Sequence, residues 1–85
     1  MIKGGVVVTG ASTGIGAAIA RRLAAHGFRV FGTVRRAEDR RSLEQSGVNP
    51  VLMDVTDAAT IVTARDEITD RLGATPLTAL VNNAG

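Results

Sequence analysis

The feature that most narrows what this chain can fold into is a β-branched run, Val6-Val7-Val8-Thr9, that breaks without a spacer into Gly10-Ala11-Ser12-Thr13-Gly14-Ile15-Gly16. An unbroken run of this kind reads as a strand buried on both faces, as strands are in parallel sheets. Beyond the glycines, Ile15, Ile19, Ala20 and Leu23 recur at helical spacing, with Arg21 and Arg22 on the outside. Strand, glycine turn and helix together present unpaired amide N–H groups and the positive end of a helix dipole to an anion. Gly10 lets the chain leave the strand sharply. Gly14 and Gly16 remove side chains where a pyrophosphate would approach the backbone and where the helix must pack on the sheet. Taken alone, such a turn fits a tight structural turn as well as it fits an anion site.

The remaining chain repeats the alternation of strand and helix. Strands are predicted over residues 5–9, 28–34, 51–54 and 77–82, and helices over 14–26, 40–46 and 57–72. Gly27 stands where a helix C-cap is wanted, residues 35–39 read as a polar loop, and Asn49-Pro50 reads as a turn. Asp57 is the N-cap of the third helix, whose apolar stripe is Ile61, Ala64, Ile68 and Leu72, with Glu67 and Arg71 one turn apart. Gly73 ends that helix and Pro76 prevents its return. The expected fold class is α/β: a partial Rossmann fold, with a parallel sheet of about four strands in the order 3-2-1-4 and three helices. Ligands of such sheets bind beyond the carboxyl ends of the strands, where Gly10, Arg35, Asp54 and Asn82 all fall. Neither an internal repeat nor a domain boundary interrupts residues 1–85.

Composition excludes several other readings. Without cysteine, the chain has no disulfide or thiolate metal site to stabilise a core as small as 85 residues allow. A net charge of +2 is too weak to argue for nucleic acid, and Phe28 and Phe31, the only aromatic residues, fall in a strand pattern that buries them. Val6-Val7-Val8 is too short for a secretion signal or a membrane span, so a cytoplasmic protein is expected. His26, the single histidine, falls in the last turn of the first helix, remote from the glycine loop.

Three motifs in order give the chain a family resemblance. Thr9 to Gly16 match T-G-x-x-x-G-x-G, Asp54-Val55 follow the third strand, and Asn82-Asn83-Ala84-Gly85 follow the fourth. In this the sequence resembles the short-chain dehydrogenase/reductase family. The resemblance implies that Asp54 contacts an adenine ring with the Val55 backbone beside it. It also implies that the segment from Asn82 through Ala84 and Gly85 supports the sheet and lines the cofactor cleft. The expected cofactor-binding residues are therefore Gly10, Ser12, Thr13, Gly14, Ile15, Gly16, Arg35, Arg36, Asp54, Val55, Asn82, Ala84 and Gly85. Blander readings stand beside these. Asp54 can cap the following turn, and Asn82 and Asn83 can simply hold neighbouring strands. Arg35, Arg36, Arg40 and Arg41 can form a solvated face, partly neutralised by Glu38, Asp39 and Glu44.

NADP is the expected cofactor, ahead of NAD. An NAD site wants an acidic residue at the end of the second strand, where this chain has Val34. Arg35 follows, and its guanidinium can grip a 2′-phosphate through two parallel hydrogen bonds, with the Ser12 hydroxyl adding to them. The family's chemistry rests on a Tyr-x-x-x-Lys pair, whereas this chain has no tyrosine, and Lys3 precedes the first strand. No catalytic residue and no metal ligand is therefore assigned. The expected function is the adenosine and pyrophosphate half of an NADP-preferring alcohol/carbonyl oxidoreductase, truncated after the fourth strand and inactive alone. The alternative is a non-catalytic nucleotide-binding or regulatory module of native length. The expected partner of the full enzyme, itself expected to be a homo-oligomer, is a small-molecule substrate, with neither nucleic acid nor membrane. The fourth strand is an expected site of self-association.

Overall fold

In the computed structural model, which describes residues 3–83, four strands alternate with three helices. They are β1 (Gly5–Val8), α1 (Gly14–Ala25), β2 (Arg29–Val34), α2 (Arg40–Gln45), β3 (Asn49–Leu52), α3 (Ala58–Leu72) and β4 (Leu77–Val81), with a 3₁₀ turn over Ala37–Asp39 ahead of α2. All pairings are parallel and the order is β3-β2-β1-β4, as the alternation of elements predicts.

The period of two along each strand sorts the core into two layers. Val6 and Val8 of β1 point with Val30 and Val34 of β2 towards α1 and α2, where Ala20, Leu43 and Val48 close the layer. Val7 and Phe31 point the other way, onto Val51, Ala64 and Ile68. Phe31 is fully buried, and a side chain of that class contributes about 1.5–3 kcal/mol by leaving water. Only α3 covers this second face among the described residues.

Several boundaries and faces differ from the sequence pattern. Ile15 is 72% exposed, whereas Ile19, Ala20 and Leu23 of the same stripe pack on the sheet beside the small residues Gly16 and Ala17. Ile61 is likewise 40% exposed, and α3 seats itself through Ala64 and Ile68 with Leu72 packed beside them. Asn49 and Pro50 are not a turn. They open β3, paired with Phe31 and Gly32, where an edge strand tolerates the missing proline N–H. The Asn49 side chain donates to the Val30 carbonyl (2.9 Å), fixing the start of that edge. The stretch read as a polar loop before the second helix contains the 3₁₀ turn, in which the Asp39 N–H donates to the Arg36 carbonyl (3.1 Å). The capping and pairing expectations for α3 hold: Asp57 Oδ1 accepts from the Ala59 N–H (3.1 Å), and Arg71 pairs with Glu67 at 3.2 Å.

Candidate cofactor cleft

Every strand ends towards the same side, so the segments after β1, β2, β3 and β4 meet there. The loop after β1 is tied down first. Its Gly10 N–H donates to Thr33 Oγ1 (3.1 Å) and its Ala11 N–H to the Thr33 carbonyl (2.9 Å), which anchors the glycine loop to the end of β2. On the other flank, Thr9 Oγ1 accepts from the Asn83 N–H (2.8 Å) and lies 3.2 Å from Asn82 Oδ1. Asn83 Nδ2 donates to the Gly10 carbonyl (3.2 Å). Asn82 and Asn83 thus hold the loop after β1 against the end of β4.

Two glycines in this loop take backbone conformations open mainly to glycine: Gly10 at φ 63° and Gly14 at φ 62°. Gly16 has a different reason. A Cβ there would collide with the Gly10 carbonyl oxygen and lie 2.6 Å from Asn83 Nδ2, so the first turn of α1 can sit on the loop only without a side chain. The amide N–H groups of Gly14, Ile15 and Gly16 donate to no acceptor among the described residues. They are the unpaired donors that an α-helix leaves at its start.

Between these segments opens a cleft of about 480 Å³. One wall is Gly10, Ser12 and Thr13 of the glycine loop, with Asn83 beside them. The other is Arg35, Arg36 and Asp39, with Thr33 and Val34 at the end of β2 and Met53 and Val55 beyond β3. Arg35 and Arg36 are exposed, and no arginine of the group Arg35, Arg36, Arg40 and Arg41 forms an ion pair with Glu38, Asp39 or Glu44 among the described residues.

Of the residues expected from sequence, Gly10, Ser12, Thr13, Arg35, Arg36 and Val55 line the cleft. Gly14, Ile15 and Gly16 form the start of α1, and Asn82 meets Thr9. Asp54 is engaged locally: its Oδ1 accepts from the Thr56 N–H (2.9 Å) and the Thr56 hydroxyl (2.7 Å). Those two bonds, with the Arg35 charge adding to them, hold the Asp54 carboxyl below its ordinary value. Ala84 and Gly85 lie outside the described residues. Thr33, Val34, Asp39, Met53 and Asn83 line the cleft without having been named as binding residues. The hydrophobic Met53 carries no polar signal, Asp39 reaches the cleft through the 3₁₀ turn, and Asn83 lies in the segment that the resemblance expected to line the cleft although it was not named among the binding residues.

The residues present suit a dinucleotide by their chemistry. Backbone donors at the start of a helix and hydroxyls on the loop match a pyrophosphate, while two guanidinium groups across the cleft match a further phosphate. Among the described residues there is no cluster of side chains that could hold a metal ion and no helix long and apolar enough to cross a membrane.

Comparison with known proteins agrees with this geometry. The sequence profile of the short chain dehydrogenase family matches residues 5–85, and the chain belongs to that family. It is 43% identical over 82 residues to an NADPH-dependent 3-dehydrocapnine reductase of Ornithobacterium rhinotracheale, an alignment covering 93% of this chain and 29% of the relative. It is 40% identical over 83 residues to retinol dehydrogenase 16 of Rattus norvegicus, covering 94% of this chain and 26% of that protein. The crystal structure of an actinorhodin polyketide ketoreductase with NADPH superposes with a TM-score of 0.85 at 37% identity, over 100% of this chain and 35% of the other. The chain therefore spans about a quarter to a third of the length of these relatives.

Proposed function

We propose that this chain is the adenosine- and pyrophosphate-binding portion of an NADP-preferring short-chain oxidoreductase that interconverts an alcohol and a carbonyl. The observation that carries the reading is the cleft itself, with the glycine loop on one wall and Arg35 and Arg36, free of ion pairs among the described residues, on the other. The NADPH-dependent reductase and the ketoreductase with NADPH among its relatives support the choice of cofactor.

When bound, the nicotinamide supplies hydride chemistry. The residues of this chain bind and orient. The amides at the start of α1 and the hydroxyls of Ser12 and Thr13 receive the pyrophosphate. Arg35 and Arg36 receive the 2′-phosphate, and Val34 adds no repulsion. Met53 and Val55 give the adenine an apolar wall. The sequence has no tyrosine to exchange a proton with a substrate. The chain alone is accordingly expected to turn over no alcohol or ketone, and the full enzyme to be a cytoplasmic homo-oligomer with a small-molecule substrate.

Dissociation constants for NADP and NAD, at fixed ionic strength, test the reading. Charge-assisted bonds of this kind contribute about 1.5–3 kcal/mol each before solvent losses, and exposed arginines fall at the lower end, which corresponds to a roughly tenfold preference for NADP. Replacing Val34→Asp and Arg35→Ala together adds repulsion and removes attraction, and the preference should move towards NAD. Equal binding of the two dinucleotides by the unmodified chain would show the arginines to be surface charge.

A further inference from the structure

Among the described residues two polar side chains are buried, Thr9 and Thr33, and both stand at the glycine loop. Thr9 opens the glycine motif, whereas Thr33 belongs to no motif. It lies near the end of β2, paired with Val51 of β3 and 3% exposed, in a strand whose other buried side chains, Val30, Phe31 and Val34, are apolar. A valine would fill the same space, and a buried hydroxyl costs free energy unless a hydrogen bond compensates it. The compensation here is a bond to the loop. Thr33 Oγ1 accepts from the Gly10 N–H (3.1 Å), and the Thr33 carbonyl accepts from the Ala11 N–H (2.9 Å). Those two amides are thereby turned onto the strand, and the amides of Gly14, Ile15 and Gly16 are left for an anion.

We infer that Thr33 is a positioning residue of the cleft: its hydroxyl holds the Gly10 amide and so fixes the glycine loop in the shape that receives a pyrophosphate. The inference rests on the dinucleotide reading above and adds to it a residue that acts through the loop. Gly10, at φ 63°, is the point at which the chain leaves β1. A glycine released from its partner samples many backbone conformations, and ordering them again on binding subtracts from affinity. The Thr33 hydroxyl does that ordering before the ligand arrives. Its effect is confined to the pyrophosphate wall. Arg35 and Arg36 are exposed and make no hydrogen bond to the loop among the described residues, so a phosphate held by them should not register the loss.

The test measures dissociation constants with the full chain and with Thr33→Val, Thr33→Ser, Thr33→Ala and Arg35→Ala, each first checked for an unchanged circular-dichroism spectrum. The probes are ADP, which carries the pyrophosphate without a 2′-phosphate, adenosine 2′-phosphate, which carries the reverse, and NADP, which carries both. Valine keeps the branching that suits a strand and removes the bond to Gly10. Thr33→Val should weaken ADP and NADP by about threefold to tenfold, the worth of one hydrogen bond, and leave adenosine 2′-phosphate within about twofold. Hydrogen exchange at the Gly10 amide, followed by NMR, should quicken in the same variant. Thr33→Ser keeps the hydroxyl and should bind ADP as the unmodified chain does. Alanine against serine repeats the comparison without the valine branch, and decides the matter if Thr33→Val fails to fold. Arg35→Ala should do the opposite, weakening adenosine 2′-phosphate and sparing ADP. ADP affinity in Thr33→Val within about twofold of the unmodified chain would overturn the inference, as would an equal loss of ADP and adenosine 2′-phosphate, which marks general damage to the fold. If Thr33→Val weakens ADP while Arg35→Ala leaves adenosine 2′-phosphate unchanged, the role of Thr33 stands and only the NADP preference fails. If the unmodified chain binds none of the three probes, the cofactor reading fails and the role of Thr33 with it.

Discussion

Gly16 is held from two sides, by the Gly10 carbonyl and by Asn83 Nδ2, and has no room for a methyl group. Gly16→Ala should lift the first turn of α1 off the loop, break the Asn83–Gly10 bond and cost about 1–3 kcal/mol of stability. Thermal unfolding checks the cost, and an unchanged midpoint would show that the loop yields freely. Asp54 offers a second test at this scale. Its carboxyl is held below its ordinary 3.8 chiefly by the Thr56 hydroxyl, then by the Thr56 amide. A depressed folded pKa means that the stabilisation is complete above the ordinary value and is lost as pH falls through the lowered one. In Thr56→Val, an NMR titration of the Asp54 carboxyl should show its pKa moving up towards 3.8, and the acid side of the stability profile should flatten. An unmoved titration would mean that the hydroxyl bond does not form in solution. Much of the cleft lining was legible in advance from residue type: glycines mark the loop, where Gly10 and Gly14 take positive φ, and Arg35 and Arg36 directly follow β2. Asp39 was not legible as a cleft residue, since a carboxylate among four arginines reads as surface charge until the 3₁₀ turn brings it to the wall.

At the scale of elements, α3 is the one helix among the described residues on its face of the sheet, so its cap matters more than that of a redundant helix. Asp57→Ala removes the acceptor of the Ala59 N–H and should destabilise the fold by about 1 kcal/mol, read as a lowered denaturation midpoint. No change would mean that water replaces the cap fully. The parallel pairing followed from alternation and handedness, and the sheet order β3-β2-β1-β4 from the dinucleotide-binding pattern that the glycine turn indicates. The buried faces of the helices followed in large part: Ile19, Ala20 and Leu23 of α1 and Ala64, Ile68 and Leu72 of α3 pack on the sheet where periodicity placed them. Ile15 and Ile61, placed on the same stripes near the start of each helix, stay exposed, and Gly16 and Ala17 are buried in α1 without having been expected there. The beginning of β3 was missed for a local reason, since Asn49-Pro50 has the composition of a turn and only its place on the sheet edge makes it a strand.

Among the described residues, one long flank of the sheet is open. β4 lies at the edge of the sheet beside β1, and Leu77 and Leu80 are 54% and 63% exposed. Unpaired strand groups beside exposed leucines favour association. Sedimentation velocity over a range of concentrations should show self-association, reduced by Leu80→Lys, and a monodisperse monomer at every concentration would count against it. The bonds from Asn83 to Thr9 and Gly10 join residues 74 and 73 positions apart. Contacts that distant form late in folding, because the intervening chain must first give up its freedom. The two bonds from Asn83 to the turn at residues 9–16 therefore wait on the synthesis of β4, whereas the two from the same turn to Thr33 need only the chain as far as β2.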